Sequence, residues 1–171
     1  MIKNIKDNII VREYNSEDYA SFITQLCDNE EWTNVFQLWN LKGENAVKFF
    51  AHHLEQYKTL DIKENGLMLG IFTKNGLLIG ECGFEYNKGS KSVEIFIGLI
   101  GQAQGKGFAK EVVDALCEIS KELGINVIHA NVPEAHTICT KIFDKSKFKF
   151  SNDYDLAFNN MTIKMRHYIY K

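Results

Sequence analysis

The spacing of apolar residues changes several times along this chain, and each change marks an element. Ile9, Ile10 and Val11 centre a first strand predicted from Asn8 to Tyr14. Asn15-Ser16-Glu17-Asp18 is a helix-start signal, with Ser16 the expected cap, and Tyr19, Phe22, Ile23 and Leu26 continue at helical spacing. Asp28 to Lys42 carries Trp32, Phe36 and Trp39 at i, i+4 and i+7, which predicts a further helical turn or two. Glu44 to Lys58 predicts a longer helix with Ala46, Val47, Phe50, Leu54 and Tyr57 on one face. Gly66 to Thr73 and Leu77 to Tyr86 flank Lys74-Asn75-Gly76 and predict a tight hairpin. A turn at Asn87 to Ser90 leads into a strand from Lys91 to Ile100, so these three strands form an antiparallel meander.

After Gly107 the period returns to that of a helix. Phe108, Ala109, Val112, Val113, Leu116, Ile119 and Leu123 form an apolar stripe, charged residues take the other side, and Gly124 ends it. Ile125 to Val132 reads as a buried strand, and the crossover helix before it makes it parallel to the strand from Lys91 to Ile100. A helix from Glu134 to Lys145 follows. Phe148 to Phe150 and Thr162 to Tyr170 then close the sheet around a turn at Asn159-Asn160. The order β-α-α-β-β-β-α-β-α-β-β predicts an α/β fold, a mixed and mostly antiparallel seven-stranded sheet flanked by helices.

Bulk composition narrows the classes. The chain has 171 residues, which predicts a single domain spanning 1–171. A net charge of −2 leaves no basic excess for a nucleic acid. No apolar run approaches the roughly 20 residues that span a membrane, and the N-terminus shows no signal-peptide core. Cys27, Cys82, Cys117 and Cys139 are widely spaced, as expected of reduced thiols in a cytoplasmic protein.

The stretch from Val93 to Gly107, V-E-I-F-I-G-L-I-G-Q-A-Q-G-K-G, is a strand, a glycine-punctuated loop and a helix start. That succession leaves free N–H groups at a positive helix end, which suits a phosphate. It is not a nucleotide-triphosphate loop: Gly101 to Gly105 is one residue short, and Gly107 stands where a metal-binding hydroxyl is needed. It is not a dinucleotide fingerprint either, because Lys110 occupies the third glycine position after an antiparallel meander. What it does contain is Q-x-x-G-x-G, as Gln102, Gly105 and Gly107.

With Val93-Glu94-Ile95, Leu99 and Gln104-Gly105-Lys106-Gly107-Phe108-Ala109-Lys110-Glu111, this unit resembles the GNAT N-acetyltransferase superfamily. The likeness is to the branch of ribosomal-protein N-terminal and spermidine acetyltransferases, and it covers nearly the whole chain. It implies the acyl-CoA N-acyltransferase fold, with the fourth and fifth predicted strands parallel and splayed. It implies acetyl-CoA as cosubstrate without a metal. The diphosphate would lie on Gln102, Gln104, Gly105, Lys106, Gly107, Phe108 and Ala109, and the pantetheine arm along the main chain of Ile97, Gly98 and Leu99. The acceptor would be a primary amine: a protein N-terminus, a polyamine or a small amine. The resemblance is also compatible with a homodimer.

The later helix departs from the family pattern. His136 stands where an asparagine is usual, and either contacts the pantetheine arm or is a solvated helix-start residue. Phe143 replaces the tyrosine that protonates the departing thiolate, and is either a cofactor wall or a core aromatic. General acid help is worth roughly 10²–10⁴-fold, so a slower enzyme, or a catalytically weak acyl-CoA binding module, remains an alternative. Cys139 fits a small buried residue, and adjacent His52 and His53 diverge on a helix rather than pairing on a metal. Glu94 and Glu81 interrupt apolar strands and are the candidate general bases. Trp32, Phe36 and Trp39 either line the acceptor pocket or pack the core.

Overall fold

The computed structural model describes residues 1–30, 32, 42–159 and 161–171. Among them eight strands form one sheet in the order β1-β2-β3-β4-β5-β6-β8-β7. These are β1 (Lys3–Ile5), β2 (Ile9–Arg12), β3 (Leu67–Thr73), β4 (Leu78–Asn87), β5 (Ser92–Leu99), β6 (Ile128–Pro133), β7 (Lys149–Phe158) and β8 (Met161–Tyr170). All neighbouring pairs are antiparallel except β5 and β6. The mixed sheet is the expected one with a strand added. β1 is short and edge-lying, and its three residues offer no apolar alternation to read.

The first helical stretch is uneven: a 3-10 turn (Ser16–Asp18), an α-helical turn α1 (Tyr19–Phe22) and a π-helical run (Ile23–Cys27). Its cap is Asn15 rather than Ser16. The Asn15 side chain accepts from the Glu17 N–H, and the Asp18 side chain reaches back to the Asn15 N–H at 2.8 Å. That closes a capping box one residue early. The helix α2 (Glu44–Thr59) agrees with its predicted span, and a short α3 (Ile62–Asn65) follows it. Trp32 is buried, whereas Phe36 and Trp39 lie outside the described residues.

The helix α4 (Phe108–Glu122) carries the best-formed apolar stripe, and Val112, Val113, Leu116 and Ile119 are fully buried on it. It packs on β1, β2 and β5. Gly124, at φ +70°, lets the Ile125 N–H reach the Ser120 carbonyl at 2.8 Å and its own N–H reach Lys121 at 3.1 Å. This paired closure is a Schellman end, and it delays β6 until Ile128. The helix α5 (Thr137–Asp144) is likewise shorter than predicted. β7 is longer, running on through Ser151-Asn152-Asp153-Tyr154-Asp155; it is an exposed edge strand, so no buried face imprinted an alternation on it.

Two faces result. Ile128, Ala130 and Val132 of β6 are buried, on the side where Lys121 of α4 lies over Tyr170 and Phe143 of α5 stacks on Tyr168. The other side carries Gly70, Glu81 and Gly98 in one row across β3, β4 and β5, and Glu85, Glu94 and His129 in a second across β4, β5 and β6. α2 covers part of this side, with His53 buried against Glu81.

Because the cap is Asn15, Asn15→Ala should lower unfolding free energy by about 1 kcal/mol, while Ser16→Ala should leave it nearly unchanged. Urea denaturation of the two variants checks this.

Candidate active site

The ladder between β5 and β6 consists of a single register pair, Glu94 with His129. β5 continues to Leu99 paired with β4 on one side, and among the described residues no second β6 register pair follows Glu94, so Ile97, Gly98 and Leu99 lie on a side that β6 does not cover. Every residue of β5 is half-buried, in contrast to the fully buried run in β4. The two parallel strands therefore diverge just past Glu94, and the main chain of Ile97, Gly98 and Leu99 lines the gap. Leu78, Ile79 and Gly80 of β4 set the line of that rail: β4 carries a bulge at Ile79, and a Cβ on Gly80 would collide with the Gly98 carbonyl.

Beyond β5 the chain makes a 3-10 turn at Gly101–Ala103 and enters α4. Ala103 is buried and the Gln104 side chain donates to the Leu99 carbonyl at 3.1 Å, which ties the loop to the end of the rail. Gly105 and Gly107 hold φ of +72° and +84°, and a Cβ on either would point into open space. Among the described residues no acceptor faces the N–H groups of Gly105 through Ala109. Helix entry leaves such groups free by geometry. A run of unpaired N–H groups at a helix start, with no Cβ at two of its positions, is a cradle that fits a diphosphate. Gln102 and Lys106 are exposed at its rim, and Phe108 and Ala109 are half-buried at the first turn of α4.

The two candidate carboxylates share one face but differ in setting. Glu94 stands where β5 and β6 part. Its Oε1 accepts from Asn87 Nδ2 at 2.8 Å and from Ser92 Oγ at 3.4 Å. Glu85 lies directly across from it, and burial, with the Glu94 charge added, pushes the Glu85 carboxyl above the usual range. Glu81 is buried to 1% beside Gly98, with its Oε1 2.9 Å from His53 Nε2. The pair is close enough for an ion pair but is not aligned as a hydrogen bond, and among the described residues His53 Nδ1 also has no hydrogen-bond partner. Tyr14 stacks on His53, and burial first, then the Glu81 charge, push its hydroxyl well up. A cleft of about 230 Å³ runs past His53, Gln56, Met68 and Glu85.

A second polar group was not anticipated from the sequence. His129 Nδ1 lies 2.8 Å from His167 Nε2, and His167 Nδ1 lies 3.1 Å from Asn152 Oδ1. The two rings stack at 5.1 Å and 8°. The residues come from β6, β8 and β7, and a bulge at Ser151 sets Asn152 opposite His167. Their spacing along the chain carries no signal; only sheet pairing brings them beside Glu94.

The residues of α5 sort as follows. His136 is exposed at the helix start and makes no side-chain cap. Phe143 is buried, stacked on Tyr168 at 5.3 Å and edge-on to Phe148 at 5.2 Å. The Tyr168 hydroxyl donates to Asp144 Oδ1 at 2.9 Å, and burial with that carboxylate pushes it up to about 12. Cys139 is half-buried and burial raises its thiol, which disfavours a reactive thiolate. Among the described residues no group of three or more His, Cys, Asp or Glu could hold a metal, and no helix is long and apolar enough to cross a membrane.

Comparison with known proteins fits this geometry. Residues 8–149 match the family model described as an acetyltransferase (GNAT) domain. The fold is similar to RimL, a ribosomal L7/L12 alpha-N-protein acetyltransferase solved with coenzyme A, at TM-score 0.77 and 14% identity over 97% of this chain and 95% of that one. It is similar to the microcin C7 self-immunity acetyltransferase MccE, solved with acetyl-CoA and AMP, at TM-score 0.74 and 15% identity over 96% and 92%. An acetyltransferase from Agrobacterium tumefaciens superposes at TM-score 0.69 and 16% identity over 100% and 95%. No curated protein matches the sequence.

Removing one member of the buried His53–Glu81 pair strands the other. His53→Leu should destabilise the chain by roughly 3–5 kcal/mol, and His53→Leu with Glu81→Leu should recover much of that loss. Thermal melts of the single and double variants decide it.

Proposed function

Since the chain belongs to the GNAT acetyltransferase family, we propose that it moves an acetyl group from acetyl-CoA to a primary amine by direct attack within a ternary complex. The observation that carries this is the opening of β5 from β6 immediately after Glu94, beside a helix start whose N–H groups are free. The diphosphate sits on Gly105 to Ala109, with Gln102, Gln104 and Lys106 around it. The pantetheine arm adds to the open edge of β5 at Ile97, Gly98 and Leu99, as an extended peptide adds to a sheet edge. A backbone N–H of that edge polarises the thioester carbonyl and stabilises the charge that develops on its oxygen.

Glu94 is the base in this reading. It stands at the mouth of the splay, only one of its oxygens is engaged by Asn87 and Ser92, and it is half-exposed. Glu81 is enclosed beside His53 and acts as the second carboxylate of the acceptor side. Carboxylates on this face suit an acceptor that arrives as an ammonium ion. RimL is named for acetylating a ribosomal protein N-terminus; a protein N-terminus, a polyamine and a small amine are the acceptor classes for this chain. The four cysteines are all unpaired, in keeping with a reducing cytoplasm. A homodimer is compatible with this reading.

Phe143 favours a second reading. The α5 aromatic is buried and has no proton to give, so an acyl-CoA binding module with weak transfer is the alternative. In the transfer reading water protonates the thiolate.

With acetyl-CoA and a mixed amine pool, mass spectrometry should find an N-acetylated product; binding of acetyl-CoA without any product would favour the module. Glu94→Gln should lower turnover near neutral pH by about 10²-fold or more with the acetyl-CoA affinity unchanged. Gly107→Val should do the reverse, weakening acetyl-CoA binding in calorimetry, because a β-branched residue is strained at φ +84° and fills the cradle.

A further inference from the structure

The hydrogen bonds beside Glu94 determine where one proton sits. Asn152 Nδ2 donates to the Asp153 carbonyl at 3.3 Å, which turns its Oδ1 toward His167 Nδ1. With the amide assigned this way its oxygen only accepts, which assigns a proton to His167 Nδ1. A neutral imidazole with its proton on Nδ1 has a lone pair on Nε2. His167 Nε2 therefore accepts from His129 Nδ1 at 2.8 Å. His129 is left with its lone pair on Nε2, and among the described residues no donor occupies it. Three side chains from three strands thus select one tautomer of His129.

The same chain gives the two histidines different roles. His129 can take a proton at Nε2 and release it again while its Nδ1–H donates in both states. His167 cannot, because a proton on its Nε2 would set two donors face to face. The groups around His129 act on it in opposite senses, and those that lower it prevail. Burial, then His167 of β8, with Lys171 adding to them, hold it below the usual histidine range, and Glu94 of β5 opposes them. Tyr154 of β7 and Glu85 of β4, on opposite sides of β5 in the sheet order, both feel the Glu94 charge. The net direction favours the neutral imidazole.

We propose that His129 is a positioning and relay residue for the transfer reaction, taking the acceptor's first proton from Glu94 at its Nε2 and releasing it to water. This rests on the acetyl-transfer reading above. The acceptor enters as an ammonium ion. One N–H proton passes to Glu94 and on to His129, which becomes an imidazolium beside the carboxylate. The neutral amine's lone pair then forms the N–C bond, and the C–S bond breaks with its electron pair going to sulfur. The nitrogen loses its second proton, and the coenzyme A thiolate gains one through water. One proton reaches solvent per turnover.

Two measurements on the full chain test this. Long-range ¹H–¹⁵N spectra near neutral pH should show His129 and His167 as Nδ1–H tautomers, with His129 titrating below the ordinary value of about 6.5. Turnover should be measured against acetyl-CoA with spermidine, tyramine and a short peptide bearing a free N-terminal serine. His129→Ala should reduce it by about 10²-fold with acetyl-CoA affinity kept, abolish the acid limb of the kcat/KM profile below pH 6.5, and regain activity with added imidazole. An Nε2–H tautomer at His129, or a variant with unaltered turnover and pH profile, would overturn the relay. A loss that imidazole does not restore, with the melting temperature lowered, would also overturn it by showing a structural role. The two readings fail separately: no product from the wild-type chain with any amine overturns acetyl transfer, while the tautomer spectra still stand or fall by themselves.

Discussion

Backbone N–H and C=O groups inside a sheet must be paired, and among the described residues Ile97, Gly98 and Leu99 of β5 have no strand partner on the β6 side. β5 is fully paired to β4 and then parts from β6 after one register pair. An interior strand with one free edge is a costly arrangement unless something extended supplies the missing partner. The free N–H groups at the start of α4 are the same constraint repeated a few residues later. Rail and cradle are contiguous, so one long ligand with an amide-bearing arm and an anionic end satisfies both. The crossover geometry enforces that contiguity: the chain must leave β5, turn tightly and enter α4 to bring β6 back parallel.

The rest of the fold serves to hold that opening. α4 is buried along Val112, Val113, Leu116 and Ile119, and it is also roped to the N-terminal strands. Glu111 accepts from the Asn8 main chain, and Glu118 accepts from Asn4 and pairs with Lys6. On the far side, β8 pairs along β6 and β7 along β8, which holds β6 away from β5. The opening is thus a packed feature: closing it would require moving α4 and the β6–β8–β7 half together.

Charge is arranged on the side away from α4. Glu85, Glu94 and His129 run across three strands in register, and Glu81 lies deeper with His53. Burial treats these groups differently. Burial raises the Glu85 carboxyl and lowers the His129 imidazole, so both shifts favour the uncharged form.

Read from the chain alone, the meander, the glycine loop, α4 with its end at Gly124 and the parallel strand after it were all legible. Each is written in local terms: residue period, a turn dipeptide, a glycine at positive φ. The cap lies one residue before the expected Ser16, because Asn15 and Ser16 are both capping types and only the contacts of Asn15 with Glu17 and Asp18 separate them. β7 was cut short because a solvated edge strand has no inward face to repeat. His129, His167 and Asn152 were invisible, since strand register and a bulge at Ser151 bring them together across residues far apart in sequence. Sequence by itself determined that a helix start with free N–H groups follows a strand, because N–H direction and glycine freedom are properties of a few consecutive residues. Only the tertiary structure decided that this strand has an open edge, that Glu94 stands at its mouth while Glu81 is enclosed, and that Phe143 is packed in the core. Those facts depend on which strand lies beside which, and non-local pairing energies leave no mark on the spacing of residues along one chain.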